Sequence, residues 1–152
     1  MPTCRCLWRM PIIPVDQVTE RDCFAACLAS ILELPLASIP DSARGPGWDK
    51  DATNRWAAFI GLSLVEVRLD LPEAAFWPVA SGTLCILVGK SPRRDVRHAV
   101  VGRFNIFGGR YGFEILHDPH ASRANFVGEA LSVVFVSLLD PAKFLEAMGT
   151  DH

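Results

Sequence analysis

Four residues have the types and order needed for acyl-transfer chemistry: Gln17, Cys23, His98 and Asp118. Cys23 stands at the predicted start of a helix. Unpaired N–H groups and the helix dipole favour an anion there, so a thiolate forms more readily than in mid-helix. Taken alone, the position also suits a small core hydrophobe, which is what most free cysteines are. His98 lies in Arg97-His98-Ala99-Val100-Val101, inside a predicted strand, and is the candidate base. Alternation groups His98 with Val100 and sets Arg97, Ala99 and Val101 on the other face. Asp118 ends the next predicted strand, where a carboxylate beside the imidazole would fix its tautomer and stabilise the imidazolium. Asp118-Pro119 is equally a common turn opener. Gln17, six positions before Cys23, offers an amide that with the Cys23 backbone N–H would bind an oxyanion.

These residues require a helix and a sheet to bring them together. Thr19-Glu20-Arg21-Asp22 has the form of a capping box, with Asp22 a second candidate for the cap. Phe24, Cys27, Leu28, Ile31 and Leu32 follow at helical spacing until Pro35, and Ala25, Ala26 and Ala29 allow close packing on a sheet. Residues 40–48 read as a loop. A second helix is predicted from about Asp49 to Ile60, with Trp56, Phe59 and Ile60 inward and Gly61 as its stop. Strands follow at 62–69, 83–88, 96–104, 111–116 and 132–138. Gly108-Gly109 joins the third and fourth as a hairpin, and Pro72 and Pro78 bracket a loop. Pro141–Met148 reads as a short helix with proline in its first turn. Helices first and a mostly antiparallel sheet afterwards make an α+β fold. Residues 1–15 are expected to be an irregular arm and 16–152 the domain.

The active-site stretch also resembles a known family. Residues 17–32 (QVTERDCFAACLASIL) are similar to the active-site helix of C39-like peptidases, a branch of the papain-like cysteine proteases, which read Q-x5-C followed by an A-C-L pattern. His98-Ala99-Val100-Val101 resembles the family's histidine strand. Ile115-Leu116-His117-Asp118-Pro119 resembles its hydrophobic-x-D-P segment. The resemblance spans roughly residues 16–120 and is closest to small bacterial and phage single-domain forms. It implies a papain-like fold with Cys23 as nucleophile, His98 as general base and acid, Asp118 as its orienter and Gln17 as oxyanion donor. No cofactor or metal is implied, and the substrate would be a peptide. The family's glycine after the nucleophile is Phe24 here, so a Gly-Gly leader specificity does not carry over, and coupled peptide export is not implied. The triad serves peptidases, amidases, isopeptidases and acyltransferases alike. A catalytically inactive binding module on the same fold is the alternative.

Composition excludes other classes. The chain has 152 residues, 50% of them hydrophobic and 21% charged, which suits one folded domain rather than a disordered chain. Fifteen basic against seventeen acidic residues leave no cationic excess for nucleic acid. No apolar run is long enough to span a membrane and no signal peptide is evident, so a cytoplasmic location with five reduced cysteines is expected. A metal site from His117, Asp118 and His120 with Cys4-x-Cys6 lacks the paired C-x2-C spacing of zinc centres. Cys27 and Cys85 read as core residues. Trp48, Trp56, Phe76 and Trp77 read as core or groove lining.

Overall fold

The computed structural model describes residues 12–45, 47–70 and 79–149. Cys4, Cys6, Phe76, Trp77 and the loop expected between Pro72 and Pro78 lie outside the described residues. The elements run α1 (Cys23–Leu32), two 3-10 turns (Leu36–Ser38 and Asp41–Ala43), α2 (Lys50–Phe59), β1 (Leu62–Arg68), β2 (Leu84–Lys90), β3 (Arg97–Phe107), β4 (Arg110–His117), β5 (Val127–Leu138) and α3 (Pro141–Ala147). The fold is α+β, with three α-helices and one five-stranded antiparallel sheet among the described residues. None of these helices is long and apolar enough to cross a membrane.

The sheet order is β1-β5-β2-β3-β4. β2 lies in the middle and is buried on both faces, which explains its unbroken apolar run Leu84–Val88. Its side chains alternate between two cores. Ile86 and Val88 join Ala99, Val101 and Val134 beneath α1, whereas Cys85 and Leu87 join Val100, Phe104, Val133 and Phe135 on the other face. α1 is buried from Phe24 through Ser30, and Ala25, Ala26 and Ala29 are fully enclosed, so their small size sets how closely the helix seats on the sheet. Glu33 then turns left-handed at φ 57° and ends the helix.

α2 corrects one expectation. Phe59 is 81% exposed rather than inward. The buried stripe is Thr53 and Ala57, flanked by half-buried Trp56 and Ile60, and Phe59 falls outside that i, i+3, i+4, i+7 set. Gly61 does follow the helix, at φ +82°. A Cβ there would lie 2.4 Å from the Asp140 carbonyl oxygen and 2.7 Å from the Phe144 nitrogen, so only glycine lets α2 and α3 meet. β5 also starts earlier than expected. Its opening residues Val127-Gly128-Glu129 are exposed and lack alternation, but they sit in the sheet opposite the end of β2. Gly108 and Gly109, at φ +56° and +80°, form the β3–β4 turn that this pair of glycines favours.

Of the expected arm only residues 12–15 are described; they lie outside helix and strand and are anchored. Ile12 and Val15 pack against the α1 core, and the Val15 N–H donates to Ser30 Oγ at 2.9 Å.

Candidate active site

The start of α1, the start of β3 and the end of β4 converge. β4 carries a bulge, since Val101 pairs with His117 while Gly102 pairs with Ile115, leaving Leu116 as the extra residue. Beyond it the chain delivers Asp118 to the first residues of β3. The His98 Nε2–H donates to Asp118 Oδ1 at 2.7 Å, and both side chains are almost wholly buried. That bond commits Nε2 and leaves Nδ1 free to face Cys23, whose side chain lies close enough to the ring to favour its charged form. Strict alternation places His98 with Val100 on the face away from α1. Its ring nonetheless lies beside Cys23, from the second residue of β3, where His98 pairs with Gly89 of β2.

Three hydrogen bonds hold the Asp118 carboxylate in its ionised form. Oδ1 also accepts the His120 N–H at 2.9 Å, and Oδ2 accepts the Asn125 N–H at 2.7 Å. Burial alone would raise its pKa, but the His98 ring and these two amides outweigh it and hold the carboxyl at about 2. For His98, burial works against the charged form. The hydrogen bonds to Asp118 and Cys23 overcome this and raise it from 6.5 to about 9. At neutral pH the pair is therefore carboxylate and imidazolium. Cys23 is half-buried, whereas Cys27 and Cys85 are enclosed. Burial pushes Cys27 well above the usual thiol range and Cys85 up to about 12. Of the three described cysteines, only Cys23 has solvent access and a basic neighbour.

The loop after β4 is tied to the segment before α1. Arg123 donates to both oxygens of Asp16, at 2.7 and 3.0 Å, and to the Asp118 carbonyl oxygen. The Gln17 N–H donates to the Pro119 carbonyl at 3.0 Å. The His117 Nε2–H reaches the Val15 carbonyl and Asp16, and the His120 Nε2–H reaches Glu20 Oε1 at 3.0 Å. Among the described residues, no group of three His, Cys, Asp or Glu side chains is arranged to hold a metal.

The side chain of Gln17 is not placed as expected. Its Nε2 donates to the Thr19 carbonyl at 3.0 Å, while Oε1 is buried without a partner. Asp22 is the cap candidate that the structure uses, and its carboxylate also makes the reach-back bond of a capping box to Thr19. It is the N-cap of α1, but its carboxylate makes no bond to the helix. Oδ2 instead accepts the Thr19 and Val18 N–H groups, at 2.9 and 3.3 Å, and Oδ1 takes Arg44 Nη1 at 2.7 Å. Burial would raise the Asp22 carboxyl, but Thr19 and Arg44 hold it below the usual range. Arg44 is the site residue that sequence reasoning missed, since nothing local links a loop arginine to a residue 22 positions earlier. On the other side of Cys23, Phe24 stacks on Trp48 with ring centroids 4.0 Å apart. The two border a pocket of about 200 Å³ that Lys50, Asn54, Leu64 and Glu66 complete.

Comparison of the chain with models of protein families, with curated proteins and with solved structures yields no match.

Proposed function

We propose that this chain is a cysteine peptidase or related amide hydrolase of papain-like, C39-like type, with Cys23, His98 and Asp118 as its triad. The observation that carries the proposal is the buried His98–Asp118 pair, joined through Nε2 at 2.7 Å, beside a half-buried thiol at the first residue of α1. A helix that begins at the nucleophile and packs on an antiparallel sheet bearing the base and its orienter fits the papain-like arrangement.

In the reaction, the Cys23 thiolate attacks the scissile carbonyl carbon and the carbonyl π electrons move to oxygen. The Cys23 backbone N–H donates to that oxyanion, with the Gln17 amide joining after it turns away from Thr19. The tetrahedral centre collapses, the C–N bond breaks, and imidazolium His98 passes its proton to the leaving amine. His98, now neutral, takes a proton from water as the hydroxyl adds to the thioester carbon; collapse breaks the C–S bond, releasing the acid and restoring the Cys23 thiolate beside imidazolium His98. Asp118 stays ionised throughout, because three hydrogen bonds hold its carboxylate.

A non-hydrolytic binding module is the second reading, and one observation favours it: the Gln17 amide is spent on Thr19. Alkylation by iodoacetamide, located on the Cys23 peptide by mass spectrometry, separates the two. A working dyad gives labelling that remains fast at about pH 6 and slows at least roughly 10-fold in His98→Ala. Labelling that falls tenfold per pH unit below about pH 8 and ignores His98→Ala would sink the hydrolase reading.

A further inference from the structure

We infer that Arg44 is a positioning residue that keeps the Asp22 carboxylate off the first turn of α1, and so keeps that turn open for the thiolate and the oxyanion. The inference rests on the hydrolase reading above. An aspartate at an N-cap ordinarily turns its side chain forward and accepts from the second or third helical amide. Asp22 does not: no side chain caps α1, and its backbone sits at φ −98° and ψ 1° instead of the extended conformation usual for that position. The helix that begins at Cys23 thus lacks the acceptor that its own sequence supplies one residue earlier.

Arg44 completes the hold on the carboxylate, whose Oδ2 accepts the Thr19 and Val18 N–H groups. Its guanidinium donates to Asp22 Oδ1 at 2.7 Å and to the Leu36 and Ile39 carbonyls at 2.9 and 3.4 Å, and it is four-fifths buried, with 20% of its side chain exposed. It is therefore fixed to the 36–44 segment and holds Asp22 to it. The Gly45 N–H donates to the Arg21 carbonyl at 2.9 Å and fastens the same segment to the residue before Asp22. The geometry matters because of charge. A forward-turned carboxylate would set a second anion beside the Cys23 sulfur and the developing oxyanion, where the helix end otherwise favours negative charge. It would also offer His98 a rival partner to the thiolate.

Releasing Asp22 should therefore weaken the nucleophile without touching the triad. Arg44→Met is expected to slow Cys23 alkylation at about pH 6 by roughly 10-fold and to move the rate–pH profile to higher pH, in protein that circular dichroism shows to be folded. Removing the carboxylate as well, in Asp22→Leu/Arg44→Met, is expected to bring the rate back to within about 3-fold of wild type, since no anion then remains to face the turn. Arg44→Lys, which keeps the cation but loses the planar fork, should fall between the two. Folded Arg44→Met that labels with the wild-type profile overturns the inference. If Arg44→Met does not fold, a double variant or Arg44→Lys whose labelling at pH 6 is as slow as that of His98→Ala overturns it instead. Loss of the hydrolase reading itself has a different signature, a wild-type thiol indifferent to His98→Ala.

Discussion

Replacing Asp118 by asparagine tests the electrostatic core of the site. The side chain keeps its shape, and its Oδ1 can still accept the His98 and His120 N–H groups, but the charge is gone. The gap between 6.5 and about 9 for His98 corresponds to about 3 kcal/mol in favour of the imidazolium, reached against an opposing burial cost. Without the carboxylate that cost is offset only by Cys23, so His98 in Asp118→Asn should titrate at or below its ordinary value. At pH 7.5 the imidazolium then falls from nearly all of the population to about a tenth, and Cys23 alkylation should slow about 10-fold. The assay is the NMR titration of the His98 Cε1–H resonance, assigned by its loss in His98→Ala among the chain's four histidines, alongside the alkylation rate. The variant also sets its amide NH2 against the Asn125 N–H, which costs roughly 1–3 kcal/mol, so urea unfolding should accompany the titration. A His98 midpoint still within about one pH unit of the wild-type value would refute the reasoning, because the ring would then owe its charge to something other than Asp118.

Three further outcomes follow from the same structure. His98 is more basic folded than unfolded, so its stabilising contribution is complete below about pH 6.5 and is lost as pH rises through about 9; urea unfolding should show up to about 3 kcal/mol of decline across that window, absent in His98→Ala. Native protein treated with excess iodoacetamide at pH 8 should be labelled at Cys23 while Cys27 and Cys85 react only after unfolding, as peptide mapping would show. Gly61→Ala should lower the unfolding free energy by roughly 2–4 kcal/mol by forcing the Asp140 and Phe144 backbone away, yet leave the Cys23 labelling rate of the folded fraction unchanged.

The sequence pattern made some parts of this molecule legible and hid others. α1 was readable because apolar spacing, alanines and Pro35 agree, and β2 because an apolar run bounded by turn residues has few other uses. The Gly108-Gly109 hairpin was readable because positive φ at both positions demands those residues. Phe59 misled because an aromatic residue beside the apolar stripe looks like part of it, although a shift of one position on a helix rotates the side chain by about 100°. The opening of β5 was hidden because exposed strand residues carry no burial signal. Within the candidate site, the Cys23, His98 and Asp118 positions could be ranked from residue type and element ends. The partners that hold them could not. The bonds from Arg44 to Asp22, from Arg123 to Asp16 and from His120 to Glu20 join segments far apart in the chain, and local spacing says nothing about such pairs.

The ties between the segment before α1 and the loop after β4 also set an order of events in time. Glu20 and His120 are 100 positions apart, and Asp16 and Arg123 are 107 apart. During synthesis Cys23 is made before His98 and Asp118, and before the loop that ties Asp118 to the segment ahead of α1. Contacts of such long sequence separation form only after the intervening loop has been closed. The nascent thiol therefore has no basic neighbour until most of the sheet exists. Under the hydrolase reading, Cys23 would gain its activating partners in the same step that completes the sheet.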